Sequence, residues 1–309
     1  MKKTSDKNGF KMDLKYPFSL KKTLMSDQCP ADLWFLDDLN HKWVSYIPIK
    51  NQWIKVMLSQ EGNSLLVTYA PNKSNIENIK KYLNYQLSLD YDITNLKSSF
   101  YSDNYISTIF KYCKDLRLMK DHNIEYRILE AIITQNTSVR MIKTMQKLLF
   151  LHYGNQFQVD GENIYTYPNI EKIANESVAT LMTKCKVGYR AKYIKIITKA
   201  LSSKKFIEHM EKLNTQDAKN YLMEFKGIGR KVSDLILMYG LKKDDVFPLD
   251  VWVKRAVKRE YFKNRDVSDE EIYEFSKEYF GNFASIINLM IFTYERIEKN
   301  LYFNYCIWK

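Results

Sequence analysis

Glycine and proline are scarce in this sequence, nine and six among 309 residues. That scarcity excludes a collagen-like or low-complexity chain. Cysteine is scarcer still: Cys29, Cys113, Cys185 and Cys306 lie far apart and form no C-x2-C pair. Neither a four-cysteine zinc site nor an iron–sulfur cluster is readable from them, and in a reducing compartment buried thiols are expected. No stretch approaches the roughly 18 consecutive apolar residues of a membrane span. The start, MKKTSDKNGFKMD, lacks the apolar core of a secretion signal. The expected location is intracellular, in the cytoplasm or nucleoid if the source is prokaryotic. Acidic side chains are in deficit, 36 against 48 Lys and Arg, which leaves a formal charge of +12. An excess of that size favours a polyanionic partner, nucleic acid or an anionic membrane surface.

What is present is a globular composition, 45% hydrophobic and 27% charged, long enough for one large domain or two. HKWVSYIPI, NQWIKVMLS and SLLVTYA, between about 41 and 70, are rich in β-branched and aromatic residues, and QEGN supplies a turn between the last two. These read as antiparallel strands. Helical spacing follows, with Ile76, Ile79, Leu83 and Leu87 on one face and Ile124, Ile128 and Ile132 on another. From there the chain reads as helical, broken at Gly154, Gly161 and Pro168. The expected fold class is α+β. A small antiparallel sheet domain with helices occupies 1–117, and a mostly helical domain occupies 118–309.

Two of the nine glycines sit one residue apart in MEFKGIGRKVSDLILMYG, residues 223–240. Helical patterns flank them, TQDAKNYLMEF before and Val232, Leu235, Ile236 and Tyr239 after, so the KGIG stretch reads as a tight connection between two helices. Glycine suits the positive φ of such turns, and its missing side chain lets a backbone come close. Amides opening the second helix carry a dipole favourable to phosphate. Alone, G-x-G is better read as a plain αα turn, because short glycine patterns recur often. Nineteen residues after Lys231, however, comes Asp250 in VFPLDVWVKRAVKREYF, a natural N-cap for a cationic helix.

GIGRKVSDLILMYG followed by FPLDVWVKR resembles the helix-hairpin-helix/GPD superfamily of DNA glycosylases, and within it the 8-oxoguanine DNA glycosylase/AP lyase family. The resemblance implies a TBP-like N-terminal sheet and a helical glycosylase domain. It implies excision of an oxidised purine from duplex DNA in base excision repair. Lys231 would be the nucleophile that attacks C1′, expels the base and forms a Schiff base, after which β-elimination cuts the strand. Burial and the helix start are expected to lower the amine's pKa enough to supply a neutral fraction. Asp250 would stabilise positive charge on the sugar and assist proton transfer.

A base inside a duplex must be flipped before it can be attacked. By the same resemblance, Asn136 in AIITQNTSVRMI fills the hole, while Tyr189 and Arg190 in VGYRAKYIKI supply a wedge and a contact to the orphaned base. Lys226, Gly227 and Gly229 meet the DNA backbone. The flipped base is expected to stack on Phe292 and to meet Asn288, where the family has glutamine. Asp27, in MSDQCPADLWF, stands where the family has a glycine whose carbonyl senses the N7 hydrogen of 8-oxoguanine. Met141 replaces a second arginine that contacts the orphaned cytosine, which predicts a relaxed opposite-base preference. No metal and no dissolved cofactor is needed, apart from a monovalent cation between hairpin carbonyls and a phosphate. The expected partner is double-stranded DNA with a damaged base, with no membrane association and a monomeric chain. Two other readings keep a place: a glycosylase of this fold acting on another damaged base, and a non-catalytic helix-hairpin-helix DNA-binding protein.

Overall fold

The computed structural model describes residues 8–28, 33–50, 52–71 and 75–298. Its contacts divide the chain into two units, Met1–Lys120 with Leu249–Lys309, and Asp121–Pro248. The expected single boundary between 117 and 118 therefore meets a first division three residues later, and a second division follows Pro248.

The first unit contains a five-stranded antiparallel sheet ordered β1-β5-β4-β3-β2. Its strands are β1 (Asn8–Asp13), β2 (Phe35–Asp37), β3 (Lys42–Ile49), β4 (Gln52–Glu61) and β5 (Ser64–Ala70). The three central strands are the ones the sequence marks. Ile54, Val56 and Leu58 of β4 and Leu65, Val67 and Tyr69 of β5 alternate along their strands, as one buried sheet face requires. The helix Ile76–Gln86, capped by the Asn75 side chain, brings Ile79 and Leu83 into the same core, with Leu87 at its C-cap. Ile76, on the expected face, stays partly exposed in the first turn.

The same unit holds the helices Asn104–Tyr112, Val251–Phe262, Asp269–Phe280 and Ala284–Thr293. Ala284–Thr293 buries nine of its ten residues, so it is apolar on all sides and central to its neighbours. It leads into a π-helical turn, Tyr294–Glu298.

The second unit is helical, with one exception that overturns part of the sequence expectation. The strands β6 (Gln156–Val159) and β7 (Glu162–Tyr165) form an antiparallel hairpin. Asp160 and Gly161 turn it with φ of 51 and 76, the primed-turn geometry that an Asp-Gly pair favours. Its helix Ile124–Ile133 is buried along its length, including Arg127 and Glu130. Arg127 pairs with Asp121 at 2.7 Å and also with Glu130, so each of these interior charges has a partner of opposite sign.

Candidate nucleic-acid interface and active site

In the second unit the helices Thr215–Met223 and Arg230–Tyr239 flank the expected hairpin turn. The two glycines prove to serve different ends. Gly227 has φ 98, and a Cβ placed there would lie 2.2 Å from Cγ of Tyr193. Chain geometry and the Tyr193 ring both demand glycine. Gly229 has no positive φ; it is the extended N-cap of the second helix, with φ −96 and ψ −177 and no side-chain capping bond. A Cβ there would meet nothing within 4 Å, so its neighbourhood is open, and Lys226 beside the turn is exposed. Positive φ is thus a requirement at one of the two positions only.

Lys231 lies in the first turn of the second helix and is exposed. The burial expected of its amine is not a property of the free chain, because the helix buries its opposite face, Val232, Ser233, Asp234 and Ile236 onward. Asp234 is the charged group that this helix does bury. Burial pushes its carboxyl up from 3.8 to about 6, while Lys219, 2.5 Å away, pulls the other way, as does Arg230; Asp245 adds to the rise. Between those two values the folded chain holds a proton that the unfolded chain has released. This group therefore adds stability as pH falls from about 6 towards 3.8, and that contribution is lost as pH rises through the same window. Denaturant unfolding at stepped pH checks this: the Asp234→Asn variant should lack this component of the slope between those pH values.

Asn136 is exposed, in the left-handed region with φ 44, between the helices Ile124–Ile133 and Val139–Tyr153. Asparagine tolerates that conformation better than most residues. Capping is done by its neighbours: Thr134 occupies the preceding C-cap, and Ser138 accepts from Met141 N. Gln135 Nε2 donates to Gly227 O at 2.9 Å, which ties the Asn136 turn to the glycine hairpin.

Arg190 is buried at 7% exposure, and its guanidinium donates to Gln135 O at 2.9 Å and to Asn136 O at 3.1 Å. The structure thus aims Arg190 at the carbonyls of the Asn136 turn, where the sequence reading aimed it at an orphaned base. Tyr189, in the short 3-10 turn Gly188–Arg190 that opens on Gly188 at φ 56, is 47% exposed. It is not a core aromatic; its ring meets Tyr193 edge-on at 5.9 Å, with the Arg190 guanidinium 4.6 Å from its centroid. Lys192 and Met141 are exposed as well.

In the first unit, Asp250 is the N-cap of Val251–Phe262, its Oδ1 accepting from Val253 N at 2.8 Å. Asp27 adopts φ 55, a conformation natural to glycine, and its carboxylate pairs with Arg296 at 3.0 Å. Gln28, next in sequence, is buried and anchors the segment. Its amide donates to Thr23 O, Ser26 Oγ and Arg117 O, and its Oε1 accepts from Met119 N at 2.7 Å. Asn288 is 5% exposed, not an outward-facing helix polar. Phe292 follows one turn later and is half-buried, with the Arg296 guanidinium 5.2 Å from its centroid.

Three residues in these arrangements escaped the sequence reading. Arg296 carried a signal, its i+4 spacing from Phe292. Gln135 adjoined Asn136 but had no mark of its own, and nothing local announces that Tyr193 faces Gly227.

Among the described residues no group of His, Cys, Asp and Glu could hold a metal ion. Cys113 and Cys185 are buried, as expected, with Cys113 Sγ donating to Met290 O at 3.5 Å and burial pushing the Cys185 thiol up to about 11; Cys29 and Cys306 lie outside the described residues. No helix among the described residues is long and apolar enough to cross a membrane.

A helical unit with a glycine-turned hairpin that presents a lysine at an uncapped helix start defines a helix-hairpin-helix protein. Residues 129–281 match the family model described as HhH-GPD superfamily base excision DNA repair protein, and the chain belongs to that superfamily. A relative from Methanothermobacter thermautotrophicus, described as a probable N-glycosylase/DNA lyase, is 27% identical over 240 residues, which cover 71% of this chain and 75% of that protein. Among solved structures, MBOgg1 in complex with a low affinity DNA ligand superposes with a TM-score of 0.81 at 25% identity, covering 94% of this chain and 95% of that one. The Clostridium acetobutylicum 8-oxoguanine glycosylase/lyase, in complex with double-stranded DNA containing cytosine opposite 8-oxoG, gives 0.80 at 24% identity, covering 92% and 93%. At that identity the second likeness carries the fold alone.

Proposed function

We propose that this protein is a bifunctional DNA glycosylase/AP lyase that excises 8-oxoguanine from duplex DNA in base excision repair. The observation that carries the reading is Lys231, exposed on the first turn of a helix whose glycine N-cap leaves the approach open, inside the residues that match the superfamily. The amine's lone pair attacks C1′ as the bond to the base breaks, and the base leaves with the bonding electrons. Opening of the sugar ring gives a Schiff base, and loss of a C2′ proton expels the 3′ phosphate. Asp250 stabilises the positive charge that develops on the sugar.

Because Lys231 is exposed in the free chain, its shielding from water in this reading comes from the bound duplex, which excludes water at the contact. In this reading Asn136 and Tyr189 enter the duplex, which their exposure supports, and Arg190 holds the Asn136 turn through its carbonyl. Lys226, Gly227 and Gly229 face the phosphates, and a monovalent cation would sit between the hairpin carbonyls near Lys226 and Ile228 and a phosphate. The protein acts as an intracellular monomer in this reading.

A panel of duplexes, each with one lesion, tests the substrate. Base release from the 8-oxoguanine duplex should exceed release from every other lesion, and binding should weaken steeply as salt rises. With Met141 exposed where a cytosine-reading arginine is absent, the four opposite bases should give rates within about tenfold, about the discrimination that one weak contact supplies. Preferred release of a different base would move the protein to another lesion. Binding with neither base release nor strand cleavage would make it a non-catalytic DNA-binding module.

A further inference from the structure

Two of the three expected base-contacting residues of the first unit, Asp27 and Phe292, meet through Arg296, which no motif singles out. Asn288, Phe292 and Arg296 follow one another at i+4 spacing along the helix Ala284–Thr293 and the π turn after it. Across from them Asp27 is held at φ 55, and its carboxylate reaches the Arg296 guanidinium at 3.0 Å. The same guanidinium lies 5.2 Å from the Phe292 ring centroid. Neither charge is deeply buried, with side chains 32% exposed for Asp27 and 21% for Arg296, so both lie within reach of a ligand. The adjacent Glu295 turns elsewhere, to Arg259 at 2.7 Å and Tyr105 at 2.9 Å.

We infer that the Asp27–Arg296 pair is a specificity device that keeps the base site electrically neutral and so selects uncharged oxidised purines over cationic N-alkylated purines. The inference rests on the glycosylase reading above, in which Phe292 stacks the flipped base. A bare carboxylate beside a stacking ring would draw a cationic base by direct attraction, and the ring's negative face would add to it. Arg296 opposes both, because its guanidinium neutralises the carboxylate and lies over one face of the ring, from where its positive charge repels a cation stacked on the other. The left-handed backbone at residue 27 is the one a glycine would adopt. Residue 27 thus combines a glycine-like turn with a side chain whose charge needs an answer, and Arg296 provides it.

The test uses the full chain with Arg296→Leu, Asp27→Asn and the double variant Asp27→Asn/Arg296→Leu, on duplexes carrying 8-oxoguanine, 7-methylguanine or an abasic site. Base release is divided by abasic-strand cleavage from the same preparation, which has no base to select and so corrects for loss of folded protein. Arg296→Leu should raise the ratio of 7-methylguanine to 8-oxoguanine release by about tenfold, the scale of one partly exposed charge contact. In the double variant, with no charge left at the pair, the ratio should return to within about threefold of the parent. A ratio in Arg296→Leu within about twofold of the parent, or a double variant that does not revert, overturns the inference. Wild-type protein that releases 7-methylguanine and not 8-oxoguanine removes the functional reading and the inference together. Wild-type release of 8-oxoguanine with insensitive variants removes the inference alone.

Discussion

Replacing Lys231 by Gln should lower both base release and abasic-strand cleavage by at least about a thousandfold, since loss of a covalent nucleophile removes the whole route. In the proposed mechanism both rates fall together, because one amine would form the bond that begins each reaction. Folding should be nearly untouched: Lys231 is exposed, and the helix is anchored by its opposite face. Binding to lesion duplex should fall by no more than the loss of one positive charge at a phosphate-lined surface, and its salt dependence should become slightly shallower. Single-turnover kinetics on 8-oxoguanine and abasic duplexes read the two rates, and a thermal melt checks the fold. A variant that still cleaved abasic DNA at the parent rate would place the nucleophile elsewhere.

Gly227→Ala should be the most damaging single-atom change in the hairpin. Its Cβ would fall 2.2 Å from Cγ of Tyr193, on a backbone at φ 98, so either the turn or the helix carrying Tyr193 has to move. Positive φ and overpacking together cost roughly 2–4 kcal/mol. The displacement also breaks the register in which Gln135 reaches Gly227 O, which carries the disturbance to Asn136. Affinity for any duplex should fall at least about tenfold. Gly229→Ala is the contrasting control: its Cβ enters open space on an extended backbone. Stability should change by less than about 1 kcal/mol, while duplex binding falls because the methyl intrudes where a phosphate comes close. Chemical denaturation and equilibrium binding at fixed salt separate the two. Equal stability losses for the two variants would contradict the division of labour between the glycines.

How much of this was legible beforehand depended on how local the determinants are. β3, β4 and β5 announce themselves through alternating apolar residues, because one of their faces is buried against a helix. β1 and β2 do so far less: in β1 only Phe10 and Met12 alternate with polar neighbours, both half-buried, and β2 buries none of its three residues, so neither carries a run long enough to mark a strand. The hairpin of β6 and β7 leaves little apolar signal although its Asp-Gly turn stands in plain view, since four of its eight strand positions are polar and five are exposed.

The glycine hairpin and the cap at Asp250 were readable because turn chemistry and capping act within a few residues. The direction of Arg190, the exposure of Lys231 and the partner of Asp27 were not, because each depends on residues more than fifty positions away or on which helix face the fold buries. The grouping of residues after Pro248 with the N-terminal sheet unit belongs with these: no local pattern states which earlier segment a late helix will join.

The most direct test of the central claim is borohydride trapping on a duplex carrying 8-oxoguanine, followed by mass mapping of the peptide joined to DNA. A reducible imine on Lys231 predicts one covalent adduct on the peptide that spans the hairpin, absent from the Lys231→Gln variant. An adduct of equal yield in that variant, or one mapped to a different lysine or to the N-terminal amine, would contradict the account.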